Sequence, residues 1–314
     1  MQFKRVKAVA ATAAISLGLV VITSTAFAGA ASGANSGKLL KGVKITVGSK
    51  DFTESIVLSK LIKQLVLANG GKVVDKTNIK GSVTTRVALT KGNIDAYWEY
   101  TGTAWLVYQK QTSTNLSPTQ LYTSVAAGDK QNKVVWLPMT AFNDTYAFAM
   151  TKDKATKYGV SKVSAVSAVP ASDAIWCVES EFQSRPDGWA GFVKAYGLNV
   201  PSSQLKVIDT GAIYKATQDG QCTFGEVFAT DGRIGALKLK VISDDKNYFP
   251  AYNAAITLRA DTAKKYPQLV KLLAPLAAKI SNEAMQTLNA RVDVLGENAD
   301  DVAKSFLVSK GLIK

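Results

Sequence analysis

Apolar and polar positions along the chain change period in a regular order. Residues 43–47 (VKITV) alternate and are β-branched on the apolar side, which predicts a strand that stops at Gly48-Ser49. Apolar residues then recur at Ile56, Leu58, Leu61, Ile62, Leu65 and Val66, the spacing of a helix, until Asn69-Gly70-Gly71 ends it. Asp51 and Glu54, three apart at its start, match a capping box, and the free amides there suit an anion. The alternation continues: helix over 84–91, strand over 94–98, helix over 102–109, helix over 118–127 and strand over 134–137. Strands and helices in such turn predict an α/β fold with mostly parallel sheet and helices on its faces.

The pattern also repeats itself. VALTKGNIDAYWEYTG reads as helix, Gly92, strand and Thr101-Gly102, and IYKATQDGQCTFGEVFATDG as helix, Gly220, strand and Thr230-Asp231-Gly232. Two similar α/β lobes would produce this echo, each presenting a strand-end turn to a shared cleft. The segments at Phe142 to Phe148 and at 244–256 (DDKNYFPAYNAAI) then read as two crossovers between lobes. Residues 38–143 plus 244–314 would form lobe 1, with 144–243 inserted as lobe 2. A cleft between hinged lobes is a frequent site for a small ligand.

The first residues stand apart. Lys4, Arg5 and Lys7 precede an apolar run from Ala8 to Ile22 and the small-x-small pattern Ala26-Phe27-Ala28. This predicts a signal peptide over 1–28, a flexible linker over 29–37 and an exported, soluble, periplasmic protein without a lipid anchor, since no cysteine lies near the cut. The formal charge is +14, and removing those three cations leaves 35 basic against 24 acidic residues, or +11. The lysines are spread singly, so the balance reads as a solvated surface and not as a nucleic-acid patch. Cys177 and Cys222 fit a disulfide in an oxidising compartment, with two buried thiols as the alternative. Histidine is absent, which excludes Ser-His-Asp and Cys-His chemistry and any imidazole-bound zinc. No cofactor or metal is called for.

The stretch IDAYWEYTGTAW, residues 94–105, gathers four aromatic residues around a turn. Together with VGSKDFTES, NDTYAFAM, EFQSRPDGWAGFVKAYGL, FATDGRI and DDKNYFPAYNAA, in that order, it resembles OpuAC-type substrate-binding proteins, which deliver glycine betaine, choline, carnitine and related quaternary amines to ABC importers. The resemblance implies a type II periplasmic-binding-protein fold, a monomeric receptor with ABC permease subunits as partners, and a box of tyrosines around the ligand's cationic head. By motif position those are Tyr100, Tyr146, Tyr214 and Tyr252, with Tyr248 competing for the last place. Lys50, Thr103 and Arg185 would face a ligand carboxylate, and Asp144 the cationic end. Many relatives carry proline where this chain has Trp98, which bears on the pocket wall. Trp98, Trp105 and Trp189 read as lobe packing or partner contacts.

Two other readings compete. A secreted carboxylate hydrolase could pair Glu99 with Asp95, or Glu179 with Glu181. Asp95 and Glu99, however, fall four apart on an expected strand, about 13 Å from each other. The same fold could instead take an amino acid, whose primary ammonium needs hydrogen-bond acceptors, not bare aromatic faces.

Overall fold

The computed structural model describes residues 39–113 and 115–314. The expected signal peptide and linker lie outside the described residues. Ten strands follow in chain order: β1 (Lys44–Lys50), β2 (Lys72–Ile79), β3 (Ala96–Tyr100), β4 (Val134–Asn143), β5 (Tyr146–Thr151), β6 (Trp176–Val178), β7 (Leu205–Val207), β8 (Phe224–Phe228), β9 (Leu239–Ile242) and β10 (Asn253–Arg259). They form two five-stranded sheets, ordered β2-β1-β3-β10-β4 and β7-β6-β8-β5-β9. In each, three neighbouring strands are parallel and the fourth runs against both its neighbours. The reversed strand is β10 in the first sheet and β5 in the second, the first strand after each crossover. The expected parallel sheet is therefore mixed, because a chain entering from the other lobe arrives pointing the opposite way.

The echo in the sequence corresponds to this repetition, since β3 and β8 hold the same central place in their sheets. Gly92 (φ +81°) and Gly220 (φ +80°) supply the left-handed turn that leads from helix to strand in each. Strand bounds differ from expectation in three places, the first being β1, which continues through the expected stop at Gly48-Ser49 to Lys50. Strand β3 starts at Ala96 and runs to Tyr100, because the Asp95 carboxylate accepts the Thr46 amide at 2.7 Å while the ladder to β10 continues to Tyr100 opposite Ala254. Strand β4 continues past Pro138 to Asn143, which its edge position permits.

Helix α1 (Thr53–Ala68) buries Val57, Leu58, Leu61, Ile62, Leu65 and Val66 in the main core with β1. Each such side chain contributes roughly 1.5–3 kcal/mol by leaving water. The core of the second sheet is aromatic: Trp176 stacks on Phe224 at 4.2 Å and Phe148 meets Phe192 at 4.6 Å, with Trp189 packed beside them. Cys177 and Cys222 are bonded to one another, joining β6 to the segment before β8. After β10, the chain is helical over Ala260–Lys265, Pro267–Leu273, Asn282–Asp293 and Ala299–Ser309.

Candidate functional site

The carboxyl ends of β1, β3, β6 and β8 converge on one cavity of about 230 Å³, the crevice where α/β sheets hold ligands. Strand β1 delivers Lys50 and Phe52, β3 delivers Tyr100 and Thr103, β6 delivers Glu179 and Glu181, and β8 delivers Phe228. The two reversed strands add Tyr146, first in β5, and Tyr252, just before β10. Beyond Tyr100 a single α-turn, Thr101–Thr103, widens into a π-helical turn, Ala104–Tyr108. Gly102 lies so close to the Tyr252 ring that a Cβ there would meet it at 2.6 Å, so only glycine lets that ring lie flat on the turn.

Five aromatic rings therefore line the wall. Phe52 stacks on Phe228 at 5.3 Å and meets Tyr100 at 5.8 Å, while Tyr146 meets Phe228 at 5.2 Å and Tyr252 at 5.4 Å. Three of the four expected tyrosines are among them. Tyr214 is not: it sits buried behind β8, its hydroxyl accepting the Phe228 amide at 3.0 Å and its ring under the Arg233 guanidinium. Tyr248 is also outside the cavity, with its hydroxyl 3.4 Å from the Gly188 carbonyl oxygen. Phe52 and Phe228 were not singled out from the sequence, although both lie in motifs quoted for the resemblance.

The polar residues divide in the same way. Lys50, Thr103 and Asp144 line the cavity, and Arg185 does not. Arg185 lies buried beneath the cage, gripping Asp187 with Nε to Oδ1 at 2.9 Å and Nη2 to Oδ2 at 2.7 Å. Its guanidinium is 5.3 Å from the Tyr146 ring centroid and 5.9 Å from that of Tyr252, whose hydroxyl donates to the same Asp187. It is a prop for two rings. Lys50 is likewise engaged, its Nζ 2.7 Å from the fully buried Glu99 carboxylate. Glu99 also accepts from Tyr97, from Tyr108 at 2.8 Å and from the Tyr100 amide at 2.7 Å. The aromatic stretch over 94–105 thus divides into two layers, a hidden one that clamps Glu99 and an inner face that belongs to Tyr100. Trp98 is fully buried in the core, Trp105 donates to the Ser113 carbonyl at 2.8 Å, and neither lines the cavity.

Helix α1 does not start with the expected capping box. Its N-cap is Phe52, while Asp51 accepts the Gly81 amide at 3.0 Å. Glu54 turns inward instead, accepting from Tyr100 at 3.0 Å and from Asn289 at 3.1 Å. Burial holds its carboxyl well above the usual range, with Asp144 adding to the effect. Burial also pushes Asp144 up to about 6 and Glu179 up to about 7. Across the mouth, Glu181 reaches from lobe 2 to accept the Ser82 amide of α2 (Ser82–Thr90) at 2.9 Å. The lining carries five carboxylates, Asp51, Asp144, Glu179, Glu181 and Asp209, against Lys50 and Lys80, so its field favours a cation.

Known proteins resemble this chain in sequence and in fold. A family model described as the substrate binding domain of ABC-type glycine betaine transport system, OpuAC, matches residues 43–309. A glycine-betaine-binding protein of Pseudomonas aeruginosa is 34% identical over 277 residues, covering 86% of this chain and 88% of that protein. An ergothioneine transport permease/ergothioneine binding protein of Helicobacter pylori is 34% identical over 269 residues, 85% of this chain and 48% of that longer protein. A crystal structure titled as a glycine betaine/carnitine/choline ABC transporter superposes with a TM-score of 0.71 at 28% identity, over 87% of this chain and all of that one.

Proposed function

The chain belongs to the OpuAC family of substrate-binding domains, and from that premise we propose that it captures a quaternary amine, glycine betaine first, outside the cytoplasm and delivers it to an ABC importer. The observation that carries this reading is the meeting of Phe52, Tyr100, Tyr146, Phe228 and Tyr252 from both lobes around one small cavity. A quaternary ammonium has charge but no N–H, so hydrogen bonds cannot satisfy it. Aromatic faces offer its methyl groups apolar contact and a negative quadrupole, worth roughly 0.5–2 kcal/mol each. A cavity of about 230 Å³ is below the roughly 300–1,000 Å³ of drug-sized pockets and suits a small solute.

The lobes are residues 38–143 plus 244–314 and residues 144–243, and closure between them encloses the ligand. The chain works as a monomeric receptor without turnover, handing its ligand to permease subunits. Export through the N-terminal signal places it in a periplasm, and among the described residues no helix is long and apolar enough to cross a membrane. Choline is the second reading, and one observation favours it: Lys50 and Arg185, the cations proposed for a ligand carboxylate, are matched by Glu99 and Asp187. Titration of intrinsic tryptophan and tyrosine fluorescence with glycine betaine, choline, carnitine and an amino-acid panel tests the proposal. Saturable responses to quaternary amines are expected; a response to amino acids alone would remove it.

A further inference from the structure

Behind the Phe52–Phe228 stack lies a second, water-sized hole of about 10 Å³ that shares Asp144 with the cage cavity and adds Glu54, Thr230 and Asn289. Three parts of the chain meet there: Glu54 from α1, Asp144 from the crossover after β4, and Thr230 from the turn after β8. The Thr230 hydroxyl oxygen is in hydrogen-bond contact with Glu54 Oε2 and lies 2.5 Å from Asp144 Oδ1. A hydroxyl has one hydrogen and makes one short, linear bond to a carboxylate. Protonation of one of the two acids, which then donates to the Thr230 oxygen, accounts for both close contacts. Both side chains are buried, and Glu54 holds Tyr100 of the cage directly.

Cations nearby are already committed. Arg233, which lines the same hole, is held by Asp231 at 2.5 Å and lies 3.5 Å from Asp293. Lys50, 4.9 Å from the Tyr100 ring centroid, is paired with Glu99. Among the described residues, no further cation in these surroundings compensates a second negative charge on the pair until a cation enters the cage.

Resting on the quaternary-amine reading, we propose that ligand binding expels the proton shared by Glu54 and Asp144, so that the pair supplies the counter-charge for the ligand's cationic head. The carboxyl O–H breaks, its electron pair stays on the carboxylate, and the proton passes to buffer. Glu54 becomes a specificity-determining residue: the exchange needs a ligand with fixed positive charge and offers nothing to a neutral isostere. The raised titration of both acids is what such a pair requires.

Isothermal calorimetry of the full mature chain decides the matter, using choline and glycine betaine in two buffers of different ionisation enthalpy. The expected result is release of about one proton per ligand near neutral pH, with affinity falling about tenfold per pH unit once the pH is below the pair's titration range. In Glu54→Gln the release should vanish, and affinity should stay at its low-pH value across the range. Binding with no proton release in the wild-type chain overturns the proposal and leaves the quaternary-amine reading intact, a measurement that stands even if the variant fails to fold. Release that survives Glu54→Gln overturns it too, and points to Glu179 on the opposite wall. Absence of binding by both amines would remove the reading itself and the proton exchange with it.

Discussion

Tyr146 and Tyr252 meet edge to face, their ring centroids 5.4 Å apart and their planes at 90°, one ring opening the second sheet and the other returning to the first. Both sit on the same salt bridge, because the Arg185 guanidinium lies beneath the two rings and Asp187 accepts the Tyr252 hydroxyl. This wall is braced from below and bare on its cavity side. Tyr146→Leu keeps most of the apolar volume and removes the π face. Affinity for glycine betaine and choline should fall at least about tenfold, equivalent to about 1.4 kcal/mol, with the melting temperature of the ligand-free chain shifted little. Fluorescence titration and thermal unfolding check the pair; unchanged affinity would make Tyr146 a packing residue.

Phe228 is expected to matter as much as Tyr100. It ends β8 as Tyr100 ends β3, and it lies directly across the β5 ladder from Tyr146. Phe228→Leu should cost affinity on the same scale as Tyr146→Leu. A loss confined to stability, with ligand affinity intact, would assign Phe228 to the core.

Phe228 also shows how much of the site was legible. Gly92 to Tyr100 and Gly220 to Phe228 are the same eight-residue step, so the internal repeat already pointed to an aromatic partner for Tyr100. The two lobes and the alternation of strand and helix followed from period and turn residues. Tyr214 went astray because a tyrosine on a helix carries no mark of which face is buried; here Arg233 and the Phe228 amide hold it inside. Arg185 was read as a ligand contact for a similar reason. A guanidinium two residues before an aspartate fits a cleft or a buried bridge equally well, and only the fold decides. Glu54 lay three residues from Asp51, the spacing of a capping box. The start of α1 at Thr53, with Phe52 as N-cap, freed both side chains for other partners.

Arg185→Ala therefore carries a different expectation from the one its motif implies. It would leave the buried Asp187 carboxylate without its bidentate partner and remove the support of two cage rings. Breaking a buried pair in this way costs about 3–5 kcal/mol. The variant should unfold at a clearly lower temperature and lose glycine betaine and choline to a similar degree. A loss restricted to glycine betaine, at unchanged stability, would show instead that the guanidinium reaches the ligand's carboxylate.

The buried acids set the direction of the pH dependence of stability. Burial raises Asp144 to about 6 and Glu179 to about 7, and it raises Glu54 and Glu226 as well. Between the unfolded carboxylate range and those values, the folded chain holds more protons than the unfolded one. Stability is then greatest at low pH within that window and is lost as pH rises through the folded-state titration, by up to about 1.4 kcal/mol per pH unit for each proton difference. Asp261, pulled down to about 2 by its bond to Arg259, acts oppositely but only below the window. The ligand-free chain should consequently melt several degrees higher at pH 5.5 than at pH 8 in calorimetry. The stabilisation gained from saturating choline should follow the reverse order, larger at pH 8, because a cation in the cage is best matched by ionised acids. A ligand-free melting temperature that is flat or lower at pH 5.5 would mean that these carboxyls are already ionised in the folded chain, with their charges compensated by groups other than a bound cation.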